Sequence, residues 1–303
     1  MYTYTGSRNY FGQLIQNTSA AALALGDNLI NQRIKMIING HSWPFREGSL
    51  TRATVANQEG YDLSVKVGKV TDCFVTVGTT KYVPQEITSR REWNLLTAPN
   101  SYVSDIPTHY FIDLESNQIL LYPKPATADN TLTVNFEKKV KDLSIADYTT
   151  GNIVSITNGA SAVVGSGTSW TKKMIGRFMR ITDSDTANTG DGEWYEIEDV
   201  TDATHLTLKI PYDGITIAAG SATYAIGQAS IIPEDYQHLP VLKAAQIYFT
   251  TIQPNTAKAQ QYKDIYNEDY NQMMNPHGSK SSSPVIGRKK GEQINPNNFI
   301  TAS

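Results

Sequence analysis

The sequence predicts an α+β protein: a helical bundle formed by the N- and C-terminal parts, β-strand extensions beside it, an inserted all-β barrel or sandwich, and an extended C-terminal tail. Three observations predict this arrangement. Apolar residues recur at helical spacing near both ends of the chain, whereas the middle contains short runs of β-branched and aromatic residues separated by turn residues. The chain has 303 residues, which is enough for two domains of ordinary size.

The composition narrows the class of protein. With 40% hydrophobic and 18% charged residues, the chain can bury a core, and its charged fraction lies below the usual ~25%. A net charge of −3 argues against DNA binding by the whole surface. No apolar run approaches ~18 residues and the polar start is unlike a signal peptide, so we expect no membrane span. The single cysteine, Cys73, excludes a disulfide framework, and its apolar surroundings predict a small core residue.

The first strong element is an amphipathic helix near the N-terminus. Its apolar stripe has helical spacing and consists of Leu29, Ile30, Ile34, Ile37 and Ile38. Gly40 is expected to end this helix, and the aromatic turn HSWPF follows, in which Pro44 forbids continuation. A shorter helix is predicted around residues 11–16.

Residues 51–140 change to strand patterns. Four short runs are rich in β-branched and aromatic residues: ATVAN, YDLSVKV, DCFVTV and KYVPQEI. The segment THYFIDLESNQILLYP predicts a hairpin with SNQ as its turn, and TLTVNFEKKV alternates Leu132, Val134 and Phe136 toward a core. A short helix is expected at residues 89–96.

Residues 151–229 form a block without helical periodicity. It contains five or six strands spaced by Gly, Ser, Asn and Asp: NIVSITN, SAVVGSG, GRFMRIT, EWYEIEDV, HLTLKI and ATYAIG. Regular short strands of this kind predict a small barrel or sandwich. With five Lys/Arg and nine Asp/Glu, the block carries a net charge of −4.

Two helices return after this block as an αα-hairpin, with Pro254 ending the first and Asn255 or Thr256 capping the second. The first stripe consists of Leu239, Leu242, Ala245, Phe249 and Ile252, and the second of Tyr262, Ile265, Tyr266, Tyr270 and Met273. The only other strong helical pattern is N-terminal, so we infer that the chain ends fold together and that the β material is inserted between them. The predicted domains are a body of residues 1–150 and 230–274, an inserted domain of 151–229, and a tail of 275–303. The candidate bundle-core or subunit-interface residues are Ile30, Ile34, Ile37, Leu242, Phe249, Tyr262, Tyr266 and Tyr270.

The last segment, residues 275–303, is broken by prolines, has no usable period and carries a net charge of +3. We predict that it is an extended strap whose apolar side chains are buried on a neighbouring subunit or a partner, and whose basic residues steer it toward an acidic surface. A frayed terminus is the alternative. The candidate anchoring residues are Val285, Ile286, Arg288, Lys289, Lys290, Ile294, Phe299 and Ile300.

The sequence contains no recognised catalytic motif. It has no G-x-S-x-G elbow, no P-loop and no G-x-G-x-x-G after a strand, and its five histidines are scattered. The acidic loop at residues 183–193 departs from the EF-hand pattern, which favours a solvated turn over a cation site. We therefore expect no enzyme activity, no cofactor and no metal site.

Two alternatives from other functional classes remain. A carbohydrate- or receptor-binding module would expose Trp170, Trp194 and Tyr195 of the inserted block to sugars. A cell-wall or capsule hydrolase would use an acidic pair such as Glu193 and Glu196, although spacing in sequence does not establish the separation that a glycosidase requires.

Several phrases occur in order between residues 28 and 249: NLINQRIKMI, HSWPF, QEGYDLSV, PTHYFI, ILLYPKPATADNTLTVNF, DLSIADYT and IIPEDYQHLPVLKAAQIYF. Their order resembles the head-to-tail adaptor (connector) proteins of tailed bacteriophages. The block of residues 151–229 also resembles a small β-domain of phage structural proteins, through ITNGASAVVGSGTSW, IGRFMRI and EWYEIEDVTDATHLTL. In a plain adaptor the chain would run straight from DYTT to IIPEDY, which agrees with an insertion.

The resemblance implies a structural protein of the virion neck, made in the host cytoplasm. Copies would assemble into a ring, usually of twelve, that lies below the portal, closes the DNA channel and offers a docking platform to a tail or nozzle protein. The helical bundle would form the ring wall, the C-terminal tail would reach the portal or a neighbouring subunit, and viral DNA would pass without sequence-specific binding. Because cyclic rings use heterologous interfaces, each subunit needs two different contact faces.

Overall fold

The protein has a mixed α+β fold in a computed structural model that describes residues 1–64, 66–98, 102–182, 190–218 and 220–277. Within these ranges the α-helices are α1 (Tyr4–Ile15), α2 (Ala20–Gly40), α3 (Arg90–Thr97), α4 (Leu239–Ile247) and α5 (Thr256–His277). The strands before residue 150 are β1 (Glu47–Ala53), β2 (Gly60–Asp62), β3 (Val67–Val77), β4 (Thr80–Tyr82), β5 (Gln85–Ile87), β6 (His109–Asp113), β7 (Gln118–Tyr122) and β8 (Thr131–Lys138). The later strands are β9 (Asn152–Ile156), β10 (Ala162–Ser166), β11 (Phe178–Ile181), β12 (Trp194–Val200), β13 (His205–Leu208) and β14 (Tyr224–Gly227).

Local capping decides where the N-terminal helices begin. The Thr3 hydroxyl accepts a hydrogen bond from the Gly6 amide (3.1 Å), and the Ser19 hydroxyl accepts one from Ala22 (3.4 Å). The first helix begins at Tyr4, directly after its cap at Thr3, and is therefore longer than the helix predicted around residues 11–16. Its first turns are polar, so the apolar periodicity of the sequence does not reveal them. The second helix ends at Gly40 as expected.

The helices of the two chain ends share one hydrophobic core. The fully buried Phe11 of α1 meets the ring of Tyr248 edge-on, with 6.0 Å between ring centroids. Trp43 of the aromatic turn is also buried, and its indole Nε1 donates to the Ile37 carbonyl (2.8 Å). The buried members of this core include Ile30, Ile34, Ile37, Ile38, Leu239, Ala245, Phe249 and Met273.

Two residues of the predicted C-terminal stripes do not face this core. After α4 the chain makes a π-helical turn over Tyr248–Ile252, whose extra residue rotates Ile252 away from the core and leaves it 54% exposed. Ile265 of α5 is 38% exposed, because the core covers only the narrower stripe on which the tyrosines lie. The last helix also continues to His277, three residues into the segment predicted to be an extended tail.

Two four-stranded sheets form the β part before residue 150. Their strand orders are β1-β8-β3-β4 and β2-β7-β6-β5, and α3 packs on the second sheet with Trp93 stacked on Phe111. Leu132 and Val134 are almost fully buried in a core of their own, and Phe136 is buried too.

Three sequence expectations in this β part differ in detail. Most of the run ATVAN lies beyond β1, which instead begins at Glu47 directly after the aromatic turn. The β6–β7 hairpin turns over residues 114–117, which include Ser116 and Asn117 of the expected SNQ turn, whereas Gln118 already begins β7. The short helix predicted at residues 89–96 is α3, with the Ser89 hydroxyl as its N-cap.

Residues 151–229 form a single six-stranded sheet that curls into a half-barrel around a separate core. The strand order is β14-β11-β12-β13-β10-β9. The two ends of the sheet meet, because Ile153 and Ile156 of β9 exchange backbone hydrogen bonds with Ala222 and Ile217, just ahead of β14. The core of this unit includes Ile153, Val163, Trp170, Met179, Ile197, Leu206 and Ile226.

The chain enters and leaves the half-barrel side by side. The backbones of Tyr148 and Ile226 exchange two hydrogen bonds (2.9 and 2.8 Å). Directly after this pair, the Gln228 side chain accepts from the Ser144 and Ile145 amides and donates to the Asp142 carbonyl (2.7 Å). Two antiparallel connections thus join the half-barrel to the rest of the chain, as in an insertion at a surface loop.

Candidate functional site

A cleft of about 470 Å³ lies where the half-barrel, the first β-sheet and the N-terminus meet. One wall is the segment that follows β8, and the opposite wall is the turn before β11, including Gly176 and Arg177. The return segment at residues 228–232 forms the third side. Two of these walls, residues 138–141 and 228–232, adjoin the two connections between the half-barrel and the rest of the chain.

The cleft is strongly basic although the chain as a whole is acidic. Among the described residues, its lining contains Arg177 and only two carboxylates, Glu196 and Glu234. Both carboxylates are already paired: Glu196 binds Lys66 (3.3 Å) and Lys209, and Glu234 binds the amino group of Met1. The lysines of the lining are Lys66, Lys138, Lys139, Lys141, Lys173 and Lys209.

Crowding and burial affect the ionisation of these groups. The pKa of Lys138 is lowered by burial and by the charges of Lys209 and Lys66, and its ammonium donates to a backbone carbonyl, that of Phe45 (3.0 Å). Burial also lowers the pKa of Arg177. Although burial alone would raise the pKa of Glu196, its hydrogen bond and ion pair with Lys209 and the charge of Lys66 lower it. The cleft is thus a place where positive charge is partly desolvated and only partly neutralised.

Sequence reasoning missed this cleft. Its cations come from four separate stretches, from Lys66 to Lys209, and none of these stretches is a basic run. The one available signal was the cluster Lys138, Lys139 and Lys141 at the end of a predicted strand, within a chain of low charge density.

The predicted bundle residues divide into a buried set and a surface stripe. Ile30, Ile34, Ile37, Leu242 and Phe249 are buried inside the protomer. The three tyrosines of α5 pack on that core and remain partly exposed: Tyr266 stacks on Tyr270 (5.5 Å), and Tyr262 donates to the Leu14 carbonyl (3.1 Å). Lys243 lies over the Tyr266 ring at 4.8 Å, and burial together with Tyr270 raises the pKa of Tyr266 to about 12.

A second set of exposed apolar side chains lies in the β part before residue 150, after β4, in α3 and after β6. Val83, Leu95 and Leu114 are 75%, 66% and 85% exposed. Arg90 and Asp113 form an ion pair (2.6 Å) that fixes the start of α3 against the end of β6. Exposed apolar side chains indicate a surface that contacts another protein only where they form a contiguous patch.

The structure describes only some of the other sequence-predicted positions. The anchoring residues Val285, Ile286, Arg288, Lys289, Lys290, Ile294, Phe299 and Ile300 lie outside the described residues, as do Asp183 and Asp185 of the acidic loop. The described part of that loop is held internally, since Asp191 accepts hydrogen bonds from the Tyr195 hydroxyl and the Glu193 amide. No cluster of His, Cys, Asp and Glu that could hold a metal ion occurs among the residues that the structure describes.

The aromatic residues of the half-barrel are mostly core. Trp170 is buried and donates its indole hydrogen to the Tyr224 hydroxyl (2.9 Å), and Tyr195 is buried as well. Of the three rings considered for sugar binding, only Trp194 is partly exposed, with Arg180 over its ring at 5.6 Å. Two of the three rings considered for sugar binding are therefore turned away from solvent.

Cys73 is buried in the core of the first sheet, and burial raises the pKa of its thiol to about 12.

In the part of the chain that the structure covers, no helix is long and apolar enough to cross a bilayer.

No protein-family model and no curated protein matches this chain.

Proposed function

We propose that the protein is a structural component of a bacteriophage virion, a head-to-tail adaptor that forms a ring below the portal. The ring would have twelve copies, as the resemblance implies, and would close the DNA channel and carry a tail or nozzle protein below it. It would lie in the neck of the virion, and viral DNA would pass through it without sequence-specific contacts.

The observation that supports this proposal most is the helical bundle built from both ends of the chain. The phrases that resemble adaptor proteins contribute α2, the aromatic turn and α4, and these elements share one core with α1 and α5. The half-barrel is attached to the bundle side of the chain through two antiparallel connections.

The two exposed surfaces supply a second line of support. A ring requires two unlike contact faces on every subunit. The partly exposed tyrosine stripe of α5 packs on the bundle core, whereas the exposed Val83, Leu95 and Leu114 belong to a part of the molecule with a different core. The two surfaces differ in chemistry, since one is aromatic with a lysine over it and the other is aliphatic.

The proposal is tested by measuring assembly with and without the portal protein of the same virus. Sedimentation velocity of the pure protein at micromolar concentration should show a monomer, because the entropy of ordering the tail opposes assembly until a partner surface is present. Adding portal rings should produce a complex that contains a ring of this protein in electron micrographs. Stable rings without portal would contradict the assembly switch, and failure to bind any portal assembly would contradict the adaptor function.

A pair of matched variants separates the ring interface from general surface effects. Leu114→Glu introduces a charge on the aliphatic surface, and Ile215→Glu introduces the same charge at a 72% exposed position of the half-barrel. Neither side chain contributes to a core, so both variants should fold. The proposal predicts that Leu114→Glu prevents ring completion on the portal and that Ile215→Glu does not.

A further inference from the structure

The basic cleft has a composition that selects among anionic ligands. Seven cationic side chains surround it, and its two carboxylates are both engaged in ion pairs. Arg177 is partly buried, and among the described residues no carboxylate lowers the cost of that burial. Partly buried positive charge without a full complement of partners is stabilised by an incoming anion.

The cleft lining also contains aliphatic side chains, which we call its floor and which bear on the class of anion. Val140, Ile145, Ile175 and Ile231 line it, and Phe178 is its only aromatic residue among the part of the chain described. Grooves for single-stranded nucleic acid combine positive charge with several aromatic rings on which bases stack. Aliphatic side chains next to lysines instead match a peptide that carries both carboxylates and aliphatic groups.

The size and backbone of the cleft also suit a peptide. A volume of about 470 Å³ lies in the range of sites for small ligands and short segments. Beyond Lys138 the chain leaves β8 and runs through Lys139, Val140 and Lys141 outside any sheet. The Lys139 amide donates to the Lys66 carbonyl (2.8 Å), and a peptide strand can pair with the remaining backbone groups of this segment.

We propose that this cleft binds an extended acidic peptide segment of a partner protein, with the carboxylates of the peptide on the lysine rim and its aliphatic side chains on the floor. The bound carboxylates compete with Glu196 for Lys66 and Lys209. The Lys66–Glu196 ion pair links the segment before β3 to the half-barrel, whereas Lys209 pairs with Glu196 within the half-barrel. The peptide therefore contacts both sides of the junction and restricts their relative motion. This inference does not rest on ring formation, because the cleft lies within one protomer.

The test uses the full-length protein and a fluorescein-labelled octapeptide of alternating Glu and Val, followed by fluorescence anisotropy. A matched octapeptide of alternating Lys and Val is the charge control, and a short oligothymidylate of equal charge is the nucleic-acid control. The acidic peptide should bind, and raising the salt from about 50 mM to about 300 mM should weaken it several-fold. Absence of binding at low salt, or tighter binding of the oligothymidylate, would overturn the proposal.

Variants localise the binding to the cleft. Lys141→Glu combined with Arg177→Glu should lower the affinity for the acidic peptide by about tenfold or more, because two favourable charge contacts become repulsive. Arg52→Glu combined with Lys69→Glu makes the same change of charge at exposed positions outside the cleft, and should weaken binding less than about twofold. Equal losses in the two double variants would show that only the overall charge matters, and would refute the site.

The aliphatic floor has its own variant. Ile145 is 41% exposed, so Ile145→Ser should not disturb folding. It should lower the affinity for the Glu–Val peptide and leave the affinity for an octapeptide of alternating Glu and Gly unchanged. Equal effects on both peptides would contradict a role for the floor.

Discussion

Packing between α1 and α2 depends on a glycine, and the effect of filling that position can be worked out from the structure. A Cβ atom added at Gly26 would lie 2.3 Å from Cδ1 and 2.5 Å from Cε1 of Phe11. The Phe11 ring is fully buried and rests edge-on against Tyr248, so it has no free space into which to move. Gly40 lies in the same helix, and a Cβ there would meet nothing within 4 Å.

Two opposing effects decide the stability of Gly26→Ala. Alanine in a helix interior is favoured over glycine by about 1 kcal/mol. Overpacking a core costs about 1–3 kcal/mol, and contacts this short place Gly26 at the upper end of that range. We therefore expect Gly26→Ala to lower the free energy of unfolding by about 1–2 kcal/mol, whereas Gly40→Ala should change it by less than about 0.5 kcal/mol.

The measurement is urea unfolding of both variants, followed by far-ultraviolet circular dichroism and by tryptophan fluorescence. Two probes are needed because a chain with several cores is not assured of two-state unfolding. Phe11→Leu in the Gly26→Ala background should cost less than Phe11→Leu alone, since the smaller side chain relieves the clash. If Gly26→Ala is as stable as Gly40→Ala, or if the double variant shows no coupling, Phe11 does not pack against Gly26 as described.

Four further outcomes are expected from the structure. In the first, residues 150–224 are replaced by Asn-Gly, and Ile226→Thr removes a core side chain that the deletion would expose. The resulting hairpin keeps the paired strands at the junction, so nuclear magnetic resonance should show an ordered bundle. Loss of the bundle signals would mean that the half-barrel is needed for folding. Glu196→Gln should destabilise the protein mainly above about pH 4.5. A carboxyl whose pKa is lowered by folding stabilises the fold above its unfolded pKa, and this contribution is lost as the pH falls through the folded pKa. A stability difference that persists unchanged to pH 2 would exclude this cause. The Cys73 thiol should not react with a thiol reagent at pH 8 until denaturant is added. Truncation after residue 277 should leave the melting temperature unchanged and prevent binding to the portal; full binding would move the anchor to the body.

Elements defined by local pattern could be read directly from the amino acids. Gly40 ends α2, and Ser89 caps a helix that was predicted within one residue at each end. The alternation of Leu132, Val134 and Phe136 placed the correct side chains of β8 in a core. These features depend on neighbours within a few residues, which is why periodicity and capping residues suffice to find them.

Other features depend on interactions that periodicity does not report. The first two turns of α1 contain few apolar residues, and their helical state follows from the cap at Thr3 and from packing on α2 and α4. The exposure of Ile252 follows from a π-helical turn, which changes the number of residues per turn and so shifts every later side chain.

The sequence by itself determined the α+β class, the β character of residues 151–229, the apolar stripes of the terminal helices and the burial of Cys73. Only the tertiary structure decided which cations come together. Lys66, Arg177 and Lys209 meet because the chain enters and leaves the half-barrel at one point, where Tyr148 pairs with Ile226. A site of this kind is assembled by long-range strand pairing, and the register of such pairing is not encoded in any single stretch of residues.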